Sequence, residues 1–436
     1  MDLEWYIVGS VLLGGLIFLL AMGVPIAFSL GFMALTGFFF FEGGESALAA
    51  LTHTAYGYLR SFIFIALPLF IFMAEILLFT GVSQDLFDTL HKWSGRIPGS
   101  IAVASVGTCA GFAAMCGSSA ATAATIGLVA LPEMEKRGYD MELGTGSIAA
   151  GGALGILIPP SIIMIVFGMI TETSIGHLFL AGFIPGIMLA LMMMTYITLR
   201  CIKNPSLAPP SPSVPWKEKI FSLRKVWASV LLIFLVLGGI YLGVATPTEA
   251  AGVGAFGSLC LALTYRKLTW QNLRQAMMRT VRVMGFFGLI IAAAISYSHL
   301  LIYVGVSDHI NEMILSLEVS RWIILIVAQL TFILMGCFLD PAGIILITMP
   351  VLFPVFQELG FDGVWLGVLM VINMEVANIT PPVGFNLFIV KGISPPTVTM
   401  GDIIRGSFPF VLLYTAGIGI IMAFPQIALW LPGTMR

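Results

Sequence analysis

Four short stretches hold the residues that could do chemistry, and all four lie within apolar sequence. They are Cys116-Gly117-Ser118-Ser119-Ala120, Gly155-Ile156-Leu157-Ile158-Pro159-Pro160-Ser161, Asp340-Pro341-Ala342-Gly343 and Ala377-Asn378-Ile379-Thr380-Pro381-Pro382-Val383-Gly384. A double proline cannot continue a helical ladder, so backbone carbonyls before it lose their partners. In a bilayer such backbone survives only where protein buries it or where it lines a polar cavity. Freed carbonyls beside Ser, Thr, Asn and Asp oxygens suit a hard cation. The open N-terminal ends of half-helices favour an anion. One pair of stretches offers Ser118, Ser119 and the carbonyls of Gly155, Ile158 and Pro160; the other offers Asp340, Thr380 and the carbonyls of Ala377 and Pro382. The chemistry expected is binding of Na⁺ or H⁺ together with a carboxylate-bearing solute. Na⁺ is the better fit, because these stretches are rich in oxygens and poor in titratable groups. Ser118, Ser119, Ser161 and Asn378 are the candidate solute contacts. Hydroxyls such as Ser118 and Ser119 also serve plain helix packing in membranes. A mid-membrane carboxylate such as Asp340 is costly and usually functional.

The elements that hold these groups must be membrane helices. The chain has 436 residues, 59% hydrophobic and 10% charged, with a mean hydropathy of +1.03. Soluble domains carry roughly a quarter charged residues, so this surface cannot face water over most of its area. A net charge of −2 excludes an electrostatic nucleic-acid binder. The five cysteines (Cys109, Cys116, Cys201, Cys260, Cys337) form no CxxC pair, which argues against a disulfide framework and a zinc site. The apolar runs are long and do not alternate, so the spans are helices and not barrel strands. A core needs about 20 apolar residues per helix. That ruler places spans near 6–22, 25–41, 61–80, 97–115, 119–132, 145–171, 178–200, 226–245, 248–265, 283–305, 320–338, 341–357, 364–392 and 407–431, several of them too short to cross. Met1-Asp2-Leu3-Glu4 lacks the basic start of a signal peptide, so the first run is expected to be a retained span.

Charge sets the orientation. Residues 201–225 form a linker carrying Lys203, Lys217, Lys219 and Arg224 and the proline-rich run Pro205–Pro215, and basic loops stay in the cytoplasm. Two spans on, Arg266, Lys267, Arg274, Arg279 and Arg282 fall on the same side. The N-terminus and the Glu42/Glu45 loop then lie outside.

Pro132–Asp140 resembles Pro354–Asp362, 222 residues later, and the same offset maps Pro159-Pro160 onto Pro381-Pro382, Ala120 onto Ala342 and Arg60 onto Arg282. One register holding at all these points marks an internal repeat. The copies start on opposite sides, copy one at acidic Asp2/Glu4 and copy two at basic Arg224/Lys225. That is the inverted design of secondary transporters, with a site at the midplane between the halves. Residues 1–200 are then the first inverted repeat, 201–225 the cytoplasmic linker and 226–436 the second. Residues 97–132 hold no Asp, Glu, Lys or Arg and would measure about 54 Å as one helix, far more than the bilayer core. A re-entrant hairpin turning at Cys116–Ala120 is expected there, and its counterpart near 320–357 turns at Asp340–Gly343. A helix broken mid-span follows each, near 145–171 and 364–392. The expected fold class is an all-α polytopic membrane protein with two re-entrant hairpins and two broken helices.

Glu75, Glu249 and Glu375 are further acids inside apolar runs. Pairing with a neighbouring span or subunit is the plainer reading for Glu75 and Glu249, while Glu375, two residues before a break, is equally a coupling candidate. His53, His91 and His177 stand near predicted interfaces and share no metal spacing. Gly252–Gly257 fits GxGxxG, but no strand precedes it, so close helix packing is expected. Asn378-Ile379-Thr380 fits a glycosylation sequon inside the proposed membrane break and is discarded. HExxH, GxSxG and paired His/Asp constellations are absent from the sequence, so an intramembrane enzyme is disfavoured. A channel would want a continuous polar pore, and only two localised breaks occur.

Together, Gly23-Val-Pro-Ile-Ala-Phe28, Gly117-Ser-Ser-Ala-Ala-Thr122, Pro132–Gly138, Gly155–Pro160 and Asn378–Pro382, doubled with their hairpins, resemble the large membrane (M) subunit of TRAP transporters, the DctM-like family of tripartite ATP-independent periplasmic transporters. The resemblance covers essentially the whole chain. It implies an elevator, in which a transport domain of two hairpins and two broken helices slides against a scaffold of the other spans. It implies sodium-coupled symport of an organic acid with no covalent cofactor. One sodium site would map onto Cys116 and Ser118 with Gly155, Ile158 and Pro160, the other onto Asp340, Ala377, Thr380 and Pro382. It further implies a small four-helix membrane subunit (Q), not fused to this chain, a periplasmic substrate-binding protein (P), and a bacterial inner-membrane location. The alternative is a receptor-independent Na⁺- or H⁺-coupled carboxylate carrier of related fold.

Overall fold

The computed structural model describes residues 5–41, 43–210 and 213–435. Asp2, Glu4 and Glu42, on which part of the outside assignment rests, lie outside the described residues. The described chain is helical and holds no strand. Its first half contains α1 (Trp5–Ala21), α2 (Ile26–Phe41), α3 (Gly44–Leu59), α4 (Ala66–Thr80), α5 (Val82–Ser94), α6 (Ser100–Cys116), α7 (Ser119–Lys136), α8 (Met141–Ala153), α9 (Ile162–Thr171) and α10 (Ile175–Lys203). The second half contains α11 (Trp216–Ile233), α12 (Gly239–Tyr241), α13 (Pro247–Thr264), α14 (Trp270–Tyr303), α15 (Val306–Leu315), α16 (Arg321–Gly336), α17 (Pro341–Glu358), α18 (Gly363–Asn378), α19 (Phe385–Ile393), α20 (Met400–Ala423) and α21 (Gln426–Leu429). Among the described residues, six helical stretches are long and apolar enough to cross a membrane: Phe62–Thr80, Ile175–Lys203, Trp216–Tyr241, Trp270–Tyr303, Pro341–Glu358 and Met400–Ala423. The protein is a multi-pass membrane protein.

Helix boundaries recur 222 residues apart. α7 and α17 start at 119 and 341, and α8 and α18 at 141 and 363. The caps that start them recur too. Ser118 and Asp340 cap α7 and α17, and Asp140 and Asp362 cap α8 and α18, each accepting from a backbone N–H in the first turn. Gly138 (φ 70°) and Gly360 (φ 77°) end the preceding helices in the left-handed conformation that glycine enters without strain.

The linker is shorter than residues 201–225. α10 runs on to Lys203, and α11 begins at Trp216. The segment Trp216–Lys225 is polar, yet it is built largely of helix-forming residues, so it extends the following span as helix.

The acids of the apolar runs part ways. Glu75 on α4 pairs with Arg279 on α14 at 3.5 Å. Glu249 closes a capping box with Thr246 at the start of α13. Glu375 is fully buried, and neither carboxyl oxygen has a hydrogen-bond partner among the described residues. In the GxGxxG segment, a Cβ on Gly254 would meet Met73 Sδ at 2.6 Å and one on Gly257 would meet Leu232 at 2.5 Å. Those glycines serve close helix packing. Replacing Arg279 with Met strands the Glu75 carboxylate. The expected loss is about 1–3 kcal/mol, less than for a fully buried pair because the arginine is half-exposed. A thermal-unfolding midpoint unchanged in Arg279→Met would refute this, and Glu75→Gln on top should restore the midpoint.

Candidate functional site

The first hairpin turns at Gly117 (φ 66°), between α6 and α7. Ser118 Oγ accepts the Ala121 N–H at 3.4 Å, and the Ser118 carbonyl accepts the Thr122 hydroxyl at 2.8 Å. The hairpin tip presses on the break after α8. A Cβ on Gly117 would lie 2.5 Å from the Pro160 carbonyl oxygen, and one on Gly155 would lie 2.6 Å from the Ser118 carbonyl oxygen. These two glycines allow backbone to meet backbone, which gathers the carbonyls of Ser118 and Pro160 around the Gly155 turn. Cys116 is buried at the base of the tip, beside Thr122. Ile158 is buried in the break itself. Ser161 is fully buried and serves the local turn: its hydroxyl donates to the Ile156 carbonyl and accepts the Met164 N–H at 3.2 Å, capping α9.

The second hairpin turns between α16 and α17. Asp340 is half-buried, and its Oδ2 accepts the N–H groups of Ala342 at 3.1 Å and Gly343 at 3.2 Å. The hairpin limb lies on the second break. A Cβ on Gly336 would meet the Ala377 Cβ at 2.2 Å, and the Cys337 thiol donates to the Pro381 carbonyl at 3.4 Å. Thr380 donates its hydroxyl to the Val376 carbonyl at 2.6 Å. The hydrogen bonds described for Asp340 all stay within its own helix end, and Thr380 bonds back to its own helix as well. In both breaks the Pro-Pro peptide bond is cis.

The two halves meet. Asn378 Nδ2 donates to Ser119 Oγ at 3.5 Å, which joins the second break to the first hairpin tip. The environments differ: Pro159 and Pro160 are buried, whereas Pro381 and Pro382 are exposed and Thr380 is half-buried. The second break is thus the more exposed of the two. α7 and α17 start at the two tips, and α9 and α19 start just past the two breaks. Each of these N-terminal ends carries partial positive charge. The four stretches contain no Lys or Arg, and Asp340 is their one acid. In chemical terms, helix ends, amides and hydroxyls are groups that suit a small anion, and carbonyls and a carboxylate are groups that suit a cation.

Several buried polar contacts escaped the reading of motifs. Asn373 on α18 donates to the Gln329 side chain at 2.7 Å and to its carbonyl at 2.9 Å. Asn386 on α19 donates to the Ala149 carbonyl at 3.1 Å, and Tyr414 on α20 donates to the Ala150 carbonyl at 2.8 Å. At the surface, Arg405 bridges Glu142 of α8 and Asp402 of α20. An amide inside an apolar run is the signal that could have found the first of these.

An all-helical membrane protein whose hairpins and interrupted helices bring polar backbone together has the build of a permease. Residues 13–427 match the family described as tripartite ATP-independent periplasmic transporter, DctM component. The chain belongs to this family and is a TRAP transporter large permease, a transporter and not an enzyme. It is 38% identical over 371 residues to the C4-dicarboxylate TRAP transporter large permease protein DctM of Pseudomonas aeruginosa, covering 84% of this chain and 86% of that one. It is 34% identical over 442 residues to the protein of the same name from Vibrio cholerae, covering 95% of each. Among solved structures, the Alcanivorax borkumensis YdaH transporter, described as having an unusual topology, matches with a TM-score of 0.58 and 15% identity. The match covers 88% of this chain and 90% of that one, and at that identity it speaks to fold alone.

Proposed function

We propose that this permease moves an organic acid, a C4-dicarboxylate in the first instance, across the bacterial inner membrane by Na⁺-coupled symport. The observation that carries the reading is the meeting of Ser119 with Asn378, flanked by the backbone contacts of Gly117 with Pro160 and of Gly336 with Ala377. Oxygen-rich, lysine-free surroundings suit Na⁺, and convergent helix ends suit a carboxylate. The C4-dicarboxylate assignment follows the names of the similar permeases. The 222-residue recurrence of helices and caps supports inverted repeats, and the clustering of both hairpins with both breaks supports an elevator in which these elements travel together. A small membrane subunit and a periplasmic substrate-binding protein complete the transporter in this reading.

Uptake of labelled C4-dicarboxylate into proteoliposomes, reconstituted with both partners, is expected to require an inward Na⁺ gradient. Uptake that ignores Na⁺ would refute the coupling. Ser118→Ala should lower uptake about three- to tenfold with normal expression, the size expected for one lost hydrogen-bonding group. For orientation, a single cysteine at position 210 in an otherwise cysteine-free chain should react with an impermeant reagent only from the cytoplasmic side, and one at position 44 only from outside. Labelling of both from one side would remove the inverted topology.

A further inference from the structure

α8 is held from two sides. On one face lies the first hairpin: a Cβ on Gly152 would meet Ala123 at 2.5 Å, and one on Gly155 would meet the Ser118 carbonyl. On the other face lie elements of the second half. A Cβ on Gly146 would be 2.2 Å from the Gly406 carbonyl oxygen, Asn386 donates to the Ala149 carbonyl, and Tyr414 donates to the Ala150 carbonyl. Positions 146, 149 and 150 share one helical face; 152 and 155 share another. The last four carbonyls of a helix have no partner within it. α8 ends at Ala153, so Ala150 is the first of those four, and the buried Tyr414 hydroxyl caps it from 264 residues away.

We infer that Tyr414 and Asn386 are positioning residues for the first cation site: they fix the broken end of α8 from the opposite half, and so set the gap between the Gly155 turn and the Ser118 carbonyl. The inference rests on the Na⁺ reading above. Neither side chain touches the ion. The donors hold two successive carbonyls, about one and a half turns before Gly155, against a helix whose other face already abuts the hairpin tip. Loss of either donor lets the end of α8 tilt. Carbonyl ligands bind Na⁺ well only when their separation is held, so a tilt weakens the site without removing any ligand. The coupling also runs between halves, since copy two thereby tunes the ion site of copy one.

The test uses the purified full chain and follows thermal unfolding against Na⁺ concentration, with choline replacing Na⁺. Tyr414→Phe and Asn386→Ala are each expected to raise the half-saturating Na⁺ concentration about three- to tenfold, the size of one lost buried hydrogen bond. Tyr297→Phe is the control: Tyr297 is also buried, and its hydroxyl has no partner among the described residues. It should leave the Na⁺ midpoint where it is. Should Tyr414→Phe fail to fold, Asn386→Ala tests the same helix end independently. A lower unfolding temperature with an unshifted Na⁺ midpoint would make both residues merely structural and overturn the inference. A wild-type chain with no Na⁺-dependent stabilisation would instead overturn the coupling reading beneath it.

Discussion

Gly155→Ala is expected to cut apparent Na⁺ affinity by about 10–100-fold and to stop Na⁺-driven uptake at ordinary Na⁺ concentrations. The added methyl would sit 2.6 Å from the Ser118 carbonyl oxygen and 2.8 Å from the Ser119 nitrogen. Those are backbone atoms, so neither can swing aside as a flexible side chain would. Overpacking of this kind costs about 1–3 kcal/mol and forces the backbone apart, which is the size of the predicted affinity loss. The displaced atoms belong to the hairpin tip that carries Ser118 and Ser119. Gly111→Ala is the matched control. It lies on α6 with nothing within 4 Å of its would-be Cβ, and alanine favours helix. Normal Na⁺ titration in Gly155→Ala would show that the contact between tip and break is unrelated to the ion.

Asp340 separates two roles. Its carboxylate caps α17 through Ala342 and Gly343, and it is the one acid among the four polar stretches. Asp340→Asn keeps a capping side chain and removes the charge, because asparagine caps about as well as aspartate. Asp340→Ala removes both. Both variants are expected to weaken Na⁺ binding about 10–100-fold, the range for losing an interaction with a charged group. Only Asp340→Ala should also lower the thermal midpoint, by the ~1 kcal/mol worth of an N-cap. Wild-type Na⁺ affinity in Asp340→Asn would reduce this residue to a helix cap. The pair of variants separates charge from capping, because the carboxylate's described bonds all go to its own helix end.

Much of the architecture was legible because lipid is a demanding solvent. Charge-free sequence from 97 to 132 is too long for one helix and has to fold back, and α6 and α7 do so at Gly117. Double prolines interrupt a ladder, and the chain breaks at Pro159-Pro160 and at Pro381-Pro382. The 222-residue register, read from a few prolines and a Pro–Gly–Asp pattern, recurs in helix starts and caps. The linker was less legible. Lys217, Lys219 and Arg224 are polar, which argues loop in a hydropathy reading, yet they are good helix formers and α11 already includes them.

Local sequence determined where helices must stop, which segments are too short or too long to cross, and which oxygens would be left unpaired inside the membrane. Hydrogen-bond satisfaction in a medium without water dictates all of these within a few residues of each break. Only the tertiary structure decided which unpaired groups face each other. It joined Ser119 to Asn378, gave Glu75 to Arg279 and left Glu375 buried without a partner, and it placed Asn386 and Tyr414 on the end of α8. These contacts bridge up to 264 residues and depend on which glycines let backbones touch, and neither distance is written in the order of the chain.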